Sequence, residues 1–291
     1  MNVSVKLAGV LVRDTLLIFE QYIRLAAFCG IFAVMALWEV IGPRRKQTVG
    51  RAWRWPNNLG VVLVDTVLVR ILFPTTAVGL ALVANERGIG LLNVVPVPAS
   101  IGVVVSVILL DLAIYFQHVL FHAVPMLWRL HRMHHADVDI DVSTGLRFHP
   151  IEILLSMLIK LTVVMALGAP AVAVLVFEIL LNATSMFNHS NVRLPLGFDR
   201  LLRWFVVTPD MHRVHHSVLT RETNSNFGFN LPWWDRLFGT YRREPQAGHD
   251  AMTIGLPVFR DEKELRLDRM LTQPFRGDRN SQGSPGEDRV R

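Results

Sequence analysis

Ten of the eleven histidines fall in the 99 residues from His118 to His216, and only His249 lies outside. Neutral imidazole is a proton acceptor and a common metal ligand, so the spacing of these residues decides what they can do. His118 and His122 are four apart, near the end of an apolar run, and on a helix both rings project from one face. His131, His134 and His135 form an HxxHH triplet, and His212, His215 and His216 form a second. Offsets of three and four place the first ring of each triplet beside the two later ones, so several ring nitrogens can converge on metal. One triplet is compatible with a basic surface patch. Two triplets with an HxxxH pair just upstream point to a metal centre. His149 and His189 are single, and each alone reads as a helix cap or a core residue. They open and close one long apolar stretch, however, and so belong to the face where the clusters gather.

Ten histidines are too many for one tetrahedral zinc and suit two metals with about five ligands each. Imidazole binds zinc, copper, iron and nickel alike, so the donor set does not choose the metal. The single cysteine, Cys29, lies in an apolar run, which excludes a disulfide framework and a thiolate site within the chain. Asp137, Asp139, Asp141 and Asp210 flank the triplets and either orient imidazole N–H groups or, the commoner role, cap helices and turns. Arg129, Arg132, Arg200, Arg203 and Arg213 suit an acidic electron donor and anionic lipid headgroups equally.

These residues must be held by membrane elements. Apolar residues make up 51% of the 291 and the mean hydropathy is +0.35, above an ordinary soluble domain. The net charge of +6 and pI near 10.1 would suit several acidic partners, but the basic residues collect beside apolar runs, as in Arg44, Arg45, Lys46, Arg51 and Arg54. With no nucleic-acid motif present, nucleic acid is excluded as the expected partner. Three runs, about Leu16–Ile41, Leu59–Ala84 and Ala99–Leu120, have the length of a bilayer crossing. The second carries Asp65 and Arg70 and the third Asp111, and such intramembrane charges mark either function or a packed pair. Ile151–Phe187 is broken by Gly168-Ala169-Pro170 and reads as a hairpin of two helices, the first short and holding Lys160, so that it tilts or lies partly at the interface.

Basic residues in the first loop and their scarcity in the second place the former in the cytoplasm, with the N-terminus outside and every histidine cluster on the cytoplasmic face. No cleavage site stands out near the N-terminus, so the first run reads as a retained anchor. The expected fold is all-α: a multi-pass transmembrane helical bundle with a cytoplasmic histidine-rich metal-binding cap. Residues 1–110 form the N-terminal transmembrane helices, 111–241 the histidine-bearing domain, and 242–291 a partly disordered tail. In the cap, Trp204, Trp233 and Trp234 suit an interfacial position. In the tail, Asp261–Leu271 suits one short helix, and 276–291 lacks apolar periodicity and reads as disordered.

The motifs resemble those of the fatty acid hydroxylase and sterol desaturase superfamily of membrane non-haem diiron proteins. The resemblance runs from about Asp111 to Tyr241. It includes Tyr115-Phe116-Gln117-His118 with His122, Leu130-His131-Arg132-Met133-His134-His135, Gly145-Leu146-Arg147-Phe148-His149-Pro150, Phe187-Asn188-His189-Ser190 and Thr208-Pro209-Asp210-Met211-His212-Arg213-Val214-His215-His216. Asn224-Ser225-Asn226-Phe227-Gly228 and Trp234-Asp235-Arg236-Leu237-Phe238-Gly239-Thr240 are similar to the family's closing motifs. Gln117 and Val119 depart from the usual pattern without touching a ligand position. The resemblance implies that the ten histidines hold two iron ions and that O2 is the co-substrate. It further implies that electrons come from a separate cytochrome b5-like or ferredoxin-like protein, and that a lipid C–H bond is hydroxylated or desaturated. A bacterial inner membrane is the expected location. Two other classes stay open: a zinc metallohydrolase acting on a lipid, with Glu152 or Asp210 as base, although no HExxH motif is present, and a non-enzymatic metal-binding membrane protein.

Overall fold

The computed structural model describes Thr15 and residues 17–277. The expectations of an uncleaved N-terminus before Thr15 and of disorder from 278 onward lie outside the described residues. Long apolar runs without strand-length alternation form helices: α1 (Glu20–Ile41), α2 (Arg51–Leu72), α3 (Ala77–Glu86), α4 (Ala99–Ala123), α5 (Pro125–His135), α6 (Pro150–Leu167) and α7 (Ala171–Asn188). Among the described residues β structure is limited to the isolated bridges Pro43–Val192 and Ser217–Ile254. Five helical stretches there are long and apolar enough to cross a membrane, so the protein is an all-helical, multi-pass membrane protein.

The second apolar run departs from the sequence expectation. It does not form one helix over Leu59–Ala84; α2 begins earlier, at Arg51, and stops at Leu72. Pro74 explains the stop, because it disfavours helix at the residue before it, and Phe73 is extended at φ −112° and ψ 113°. The chain restarts where the Thr76 hydroxyl accepts the Gly79 N–H at 3.0 Å. Asp65 is buried whereas Arg70 is exposed, and no ion pair joins them among the described residues. The hairpin forms as expected. Gly168 turns it in the left-handed conformation (φ 63°), and a Cβ on Gly90 would stand 2.1 Å from the Gly168 nitrogen. The tip therefore packs backbone on backbone against the loop after α3.

The core between the helices is built from Val78, Ala81, Leu110, Ile114, Val164, Val174 and Phe177 on α3, α4, α6 and α7. Val34, Leu37, Val40, Leu63, Val67, Val104 and Leu158 point outward, as expected of side chains facing lipid. At the histidine end, buried ion pairs tie the loops together. Arg54 donates to Asp137 Oδ1 and Oδ2 at 2.8 and 2.7 Å and to Asp141 Oδ2 at 2.5 Å, all out of solvent. Against the burial that would raise it, the Arg54 guanidinium holds the Asp137 carboxyl at about 2. Asp139 accepts the Thr48 and Val49 N–H groups, both at 2.8 Å. These three aspartates thus bind the α1–α2 loop and the first turns of α2 rather than imidazoles. Asp111 is just as firmly engaged, since it accepts the Asn230 and Leu231 N–H groups at 3.2 Å and Trp234 Nε1–H at 2.8 Å, fastening the cap to α4. Trp234 is consequently buried, while Trp204 and Trp233 are exposed, as an interfacial position requires.

The segment after Tyr241 folds back on the cap as far as it is described. Gly255 N–H donates to His216 O at 3.0 Å and Val218 N–H to Thr253 O at 2.9 Å. Where a helix was expected over Asp261–Leu271, a 3-10 turn (Glu262–Leu265) precedes a short helix (Leu267–Thr272). Its carbonyl-rich end accepts from Arg129 (Pro274 O, 2.7 Å) and Arg132 (Gln273 O, 2.6 Å). Arg203 pairs with Asp199 at 2.6 Å and Arg213 pairs with Asp210, which leaves Arg200 as the exposed member of the five arginines.

Candidate metal centre

Four elements carry the histidines to one place. The last turns of α4 present His118 and His122. The chain then turns at Val124, Pro125 opens α5, and that helix returns with His131, His134 and His135. The C-terminus of α7 delivers His189. A seven-residue helix, α8 (Pro209–His215), opens with the Thr208 hydroxyl accepting the Met211 N–H at 3.3 Å and bears His212, His215 and, just past its end, His216. Gly145 lets the intervening loop approach α7, since a Cβ there would stand 2.5 Å from Ser185 O.

Nine of the ten expected histidines form two groups. His118, His122, His131, His135 and His215 make one, and His134, His189, His212 and His216 the other; in each, one ring nitrogen per residue lies within 4.8 Å of the rest. Hydrogen bonds fix how the first group presents itself. His118 Nδ1–H donates to Phe227 O and His215 Nδ1–H to Ser225 O, both at 2.8 Å. His122 Nδ1 meets Asn224 Oδ1 at 3.1 Å and His131 Nδ1 meets Glu152 Oε1 at 2.7 Å. With their protons on Nδ1, these rings turn bare Nε2 lone pairs inward, and all five Nε2 atoms of the group are buried without a hydrogen-bond partner. Such a set is costly unless a cation receives it.

The second group makes the same point by opposition. His134 Nδ1–H donates to Arg147 O at 3.2 Å and His189 Nδ1–H to Ser185 O at 2.8 Å, so both Nε2 atoms carry lone pairs. They nevertheless face each other at 3.1 Å, and His212 Nε2 stands 3.0 Å from His189 Nε2. Lone pairs opposed at that distance repel unless a positive centre lies among them. Burial, followed by the mutual influence of neighbouring rings, holds His134, His135, His212, His215 and His216 well below the ordinary imidazole value. His189 lies at about 4, again through burial. The rings are therefore neutral at pH 7, the state in which imidazole binds metal.

His149 is not brought to either group. Pro150 starts α6 and the His149 side chain turns back to cap it, accepting Ile151 N–H on Nδ1 at 3.2 Å while Nε2–H donates to Leu271 O at 3.2 Å. His249, which the sequence sets apart, is buried close by, with Nε2 2.9 Å from Glu244 and 3.8 Å from Asp210 in the first turn of α8. Among the described residues, Glu152 is the acid that touches an imidazole of the two groups. The sequence offers Glu152 only as a candidate base of a hydrolase, and the fold places it in the first turn of α6 beside His131.

Below the histidines a cavity of about 230 Å³ opens between α4, α6 and α7. His118, His131, His134 and His212 form its roof, Ile114, Met157, Leu181 and Phe229 its apolar walls, and Arg24, Lys160 and Glu178 its far end. An apolar slot closed by metal-ligating rings can hold a hydrocarbon against a metal with water excluded.

Known proteins are similar to this part of the chain. Residues 103–240 match the fatty acid hydroxylase family model. An ornithine lipid hydroxylase from Rhizobium tropici is 32% identical over 157 residues, covering 54% of this chain and 46% of that protein. An alkylglycerol monooxygenase from Xenopus tropicalis is 30% identical over 51% of this chain and 32% of its own length. A cholesterol 25-hydroxylase from Rattus norvegicus is 28% identical over 50% and 48%, respectively. The chain thus spans less than half the length of these relatives. No solved structure matches it.

Proposed function

From the match of residues 103–240 to the fatty acid hydroxylase family model, we propose that the protein is a membrane lipid oxygenase that uses O2 to oxidise a lipid C–H bond at a two-iron centre. The two groups of converging imidazole nitrogens, with the five partnerless Nε2 atoms of the first, above a cavity with apolar walls carry this reading. His118, His122, His131, His135 and His215 hold one iron, and His134, His189, His212 and His216 hold the other. His149 supports the site from its helix cap instead. Iron bound there supplies the oxygen activation and one-electron chemistry that side chains lack. The names of the relatives, hydroxylases and a monooxygenase, favour hydroxylation over desaturation.

The chain's own contribution is positional. Backbone carbonyls and Glu152 fix the tautomers, so that ring nitrogens and not N–H groups face the metals. The apolar walls exclude water from the reacting carbon, and the Gln117 amide, donating to the Ser156 hydroxyl at 2.5 Å, adds a polar pair to the cavity wall. Glu152 is occupied by His131, which disfavours it as the free base a hydrolase needs. The basic α1–α2 loop lies on the histidine side, with Arg44 N–H donating to Asn191 O at 2.9 Å, which supports a site on the cytoplasmic face of a bacterial inner membrane. Electrons then arrive from a cytochrome b5-like or ferredoxin-like donor on that face. Purified protein should contain about two irons per chain, and membranes given 18O2 should yield a lipid heavier by one labelled oxygen. Product formed equally without O2 would refute the assignment.

A further inference from the structure

The far end of the cavity carries charges that the metal chemistry does not use. Lys160 of α6 bonds Glu178 Oε1 of α7, and Arg24 of α1 stands 3.0 Å from Glu178 Oε2. Arg24 also meets Glu20 at 3.5 Å, away from the slot. At this end of the slot Arg24 and Lys160 face Glu178, with the Asn182 side chain beside them, while Glu152 lies at the histidine end. Lys160 has three N–H donors, of which Glu178 takes one, and among the described residues the ammonium has no further acceptor. A half-buried ammonium with donors to spare, lining a cavity inside a helical bundle, is suited to an anionic ligand.

The distance to the histidines is set by one helix. Glu152, Ile153, Ser156, Met157 and Lys160 line the same side of α6 at helical spacing, with Glu152 beside His131 and Lys160 at the charged end. The step from Glu152 to Lys160 spans about 12 Å of helix axis. Between the ends the wall is largely hydrocarbon. A ligand that fills this slot has an acidic group at one end and a methylene chain leading to the metals at the other.

We propose that Lys160 and Arg24 form a subsite for the anionic group, a carboxylate or a phosphate, of an acyl lipid whose chain lies along the cavity. The subsite thereby sets which carbon reaches the histidines, about 12 Å away along α6. Oxidation at that carbon rests on the oxygenase reading above, whereas binding of the anion does not.

The test uses the full chain in an uncharged detergent. Fluorescent cis-parinaric acid and its methyl ester are titrated into the protein, and the bound acid is then displaced with dodecanoate or dodecyl phosphate. The acid should bind wild type at least about tenfold more tightly than the ester. Lys160→Met should remove that preference by weakening the acid while leaving the ester within about twofold, and Lys160→Arg should restore it. Stronger displacement by dodecyl phosphate assigns a phosphate ligand, and stronger displacement by dodecanoate assigns a carboxylate. Equal binding of acid and ester to wild type overturns the proposal without any variant having to fold. So does a preference that survives both Lys160→Met and Arg24→Met. An absent preference alongside 18O-labelled lipid product removes the subsite alone, while an intact preference with no such product removes the oxygenase reading alone.

Discussion

Glu152 Oε1 accepts the His131 Nδ1 proton at 2.7 Å, so a membrane helix sets the tautomer of a histidine that belongs to the cap. Glu152→Ala should leave the fold intact and weaken metal binding at that group by about 10–100-fold, the usual cost of losing a carboxylate behind a ligating imidazole. Iron content after dialysis against a graded chelator series measures it. Unchanged retention would mean that the contact is only packing.

The two groups should lose metal separately. His215→Ala is expected to empty the five-histidine group and His216→Ala the four-histidine group, each leaving about one iron per chain. His149→Ala should keep both irons and lower stability by about 1 kcal/mol through the lost helix cap. Loss of iron from His149→Ala would return that residue to the ligand set. His249 is a poor control for these measurements, because it contacts Glu244 and lies against Asp210 at the start of α8.

Acid should destabilise the metal-free protein. The buried imidazoles have folded values below the ordinary 6.5, with His189 at about 4, so below pH 6.5 the unfolded chain binds protons that the folded chain refuses. Stability is therefore full above about pH 6.5 and falls as pH drops through the window toward 4. Melting temperatures of chelator-treated protein from pH 8 to 4 test the sign. A melting temperature that rises on acidification contradicts it.

Arg54→Met should be among the most damaging substitutions away from the histidines. It leaves Asp141 buried without Arg54 and Asp137 with only Arg147, 3.8 Å away, a loss of about 3–5 kcal/mol. Pairing it with Asp137→Asn should recover part of that loss. A double variant no better than the single one would show that the ion pair contributes little.

Much of this arrangement is legible in the sequence because it is local. HxxxH and HxxHH are helical spacings, and Gly168-Ala169-Pro170 ends a helix by its own chemistry. Pro74 carries the signal that divides the second apolar run, but high hydropathy on both sides masks it. The long-range pairings are not legible, since Arg54 meets Asp137 across 83 positions and nothing in either neighbourhood names the other. The same holds for Arg24 with Glu178 and Asp111 with Trp234. His149 shows the converse limit: a histidine at the right face in the right motif still spends its side chain on the helix that follows it.

Each histidine group takes a residue from α8 or its end: His215 completes one, and His212 and His216 the other. Every membrane helix among the described residues ends by Asn188. During synthesis neither group can close until the chain has been made through residue 216, by which time all of those bilayer helices precede it. Metal capture is thus a closing event of biogenesis, and a truncated chain would be inserted in the membrane yet chemically inert.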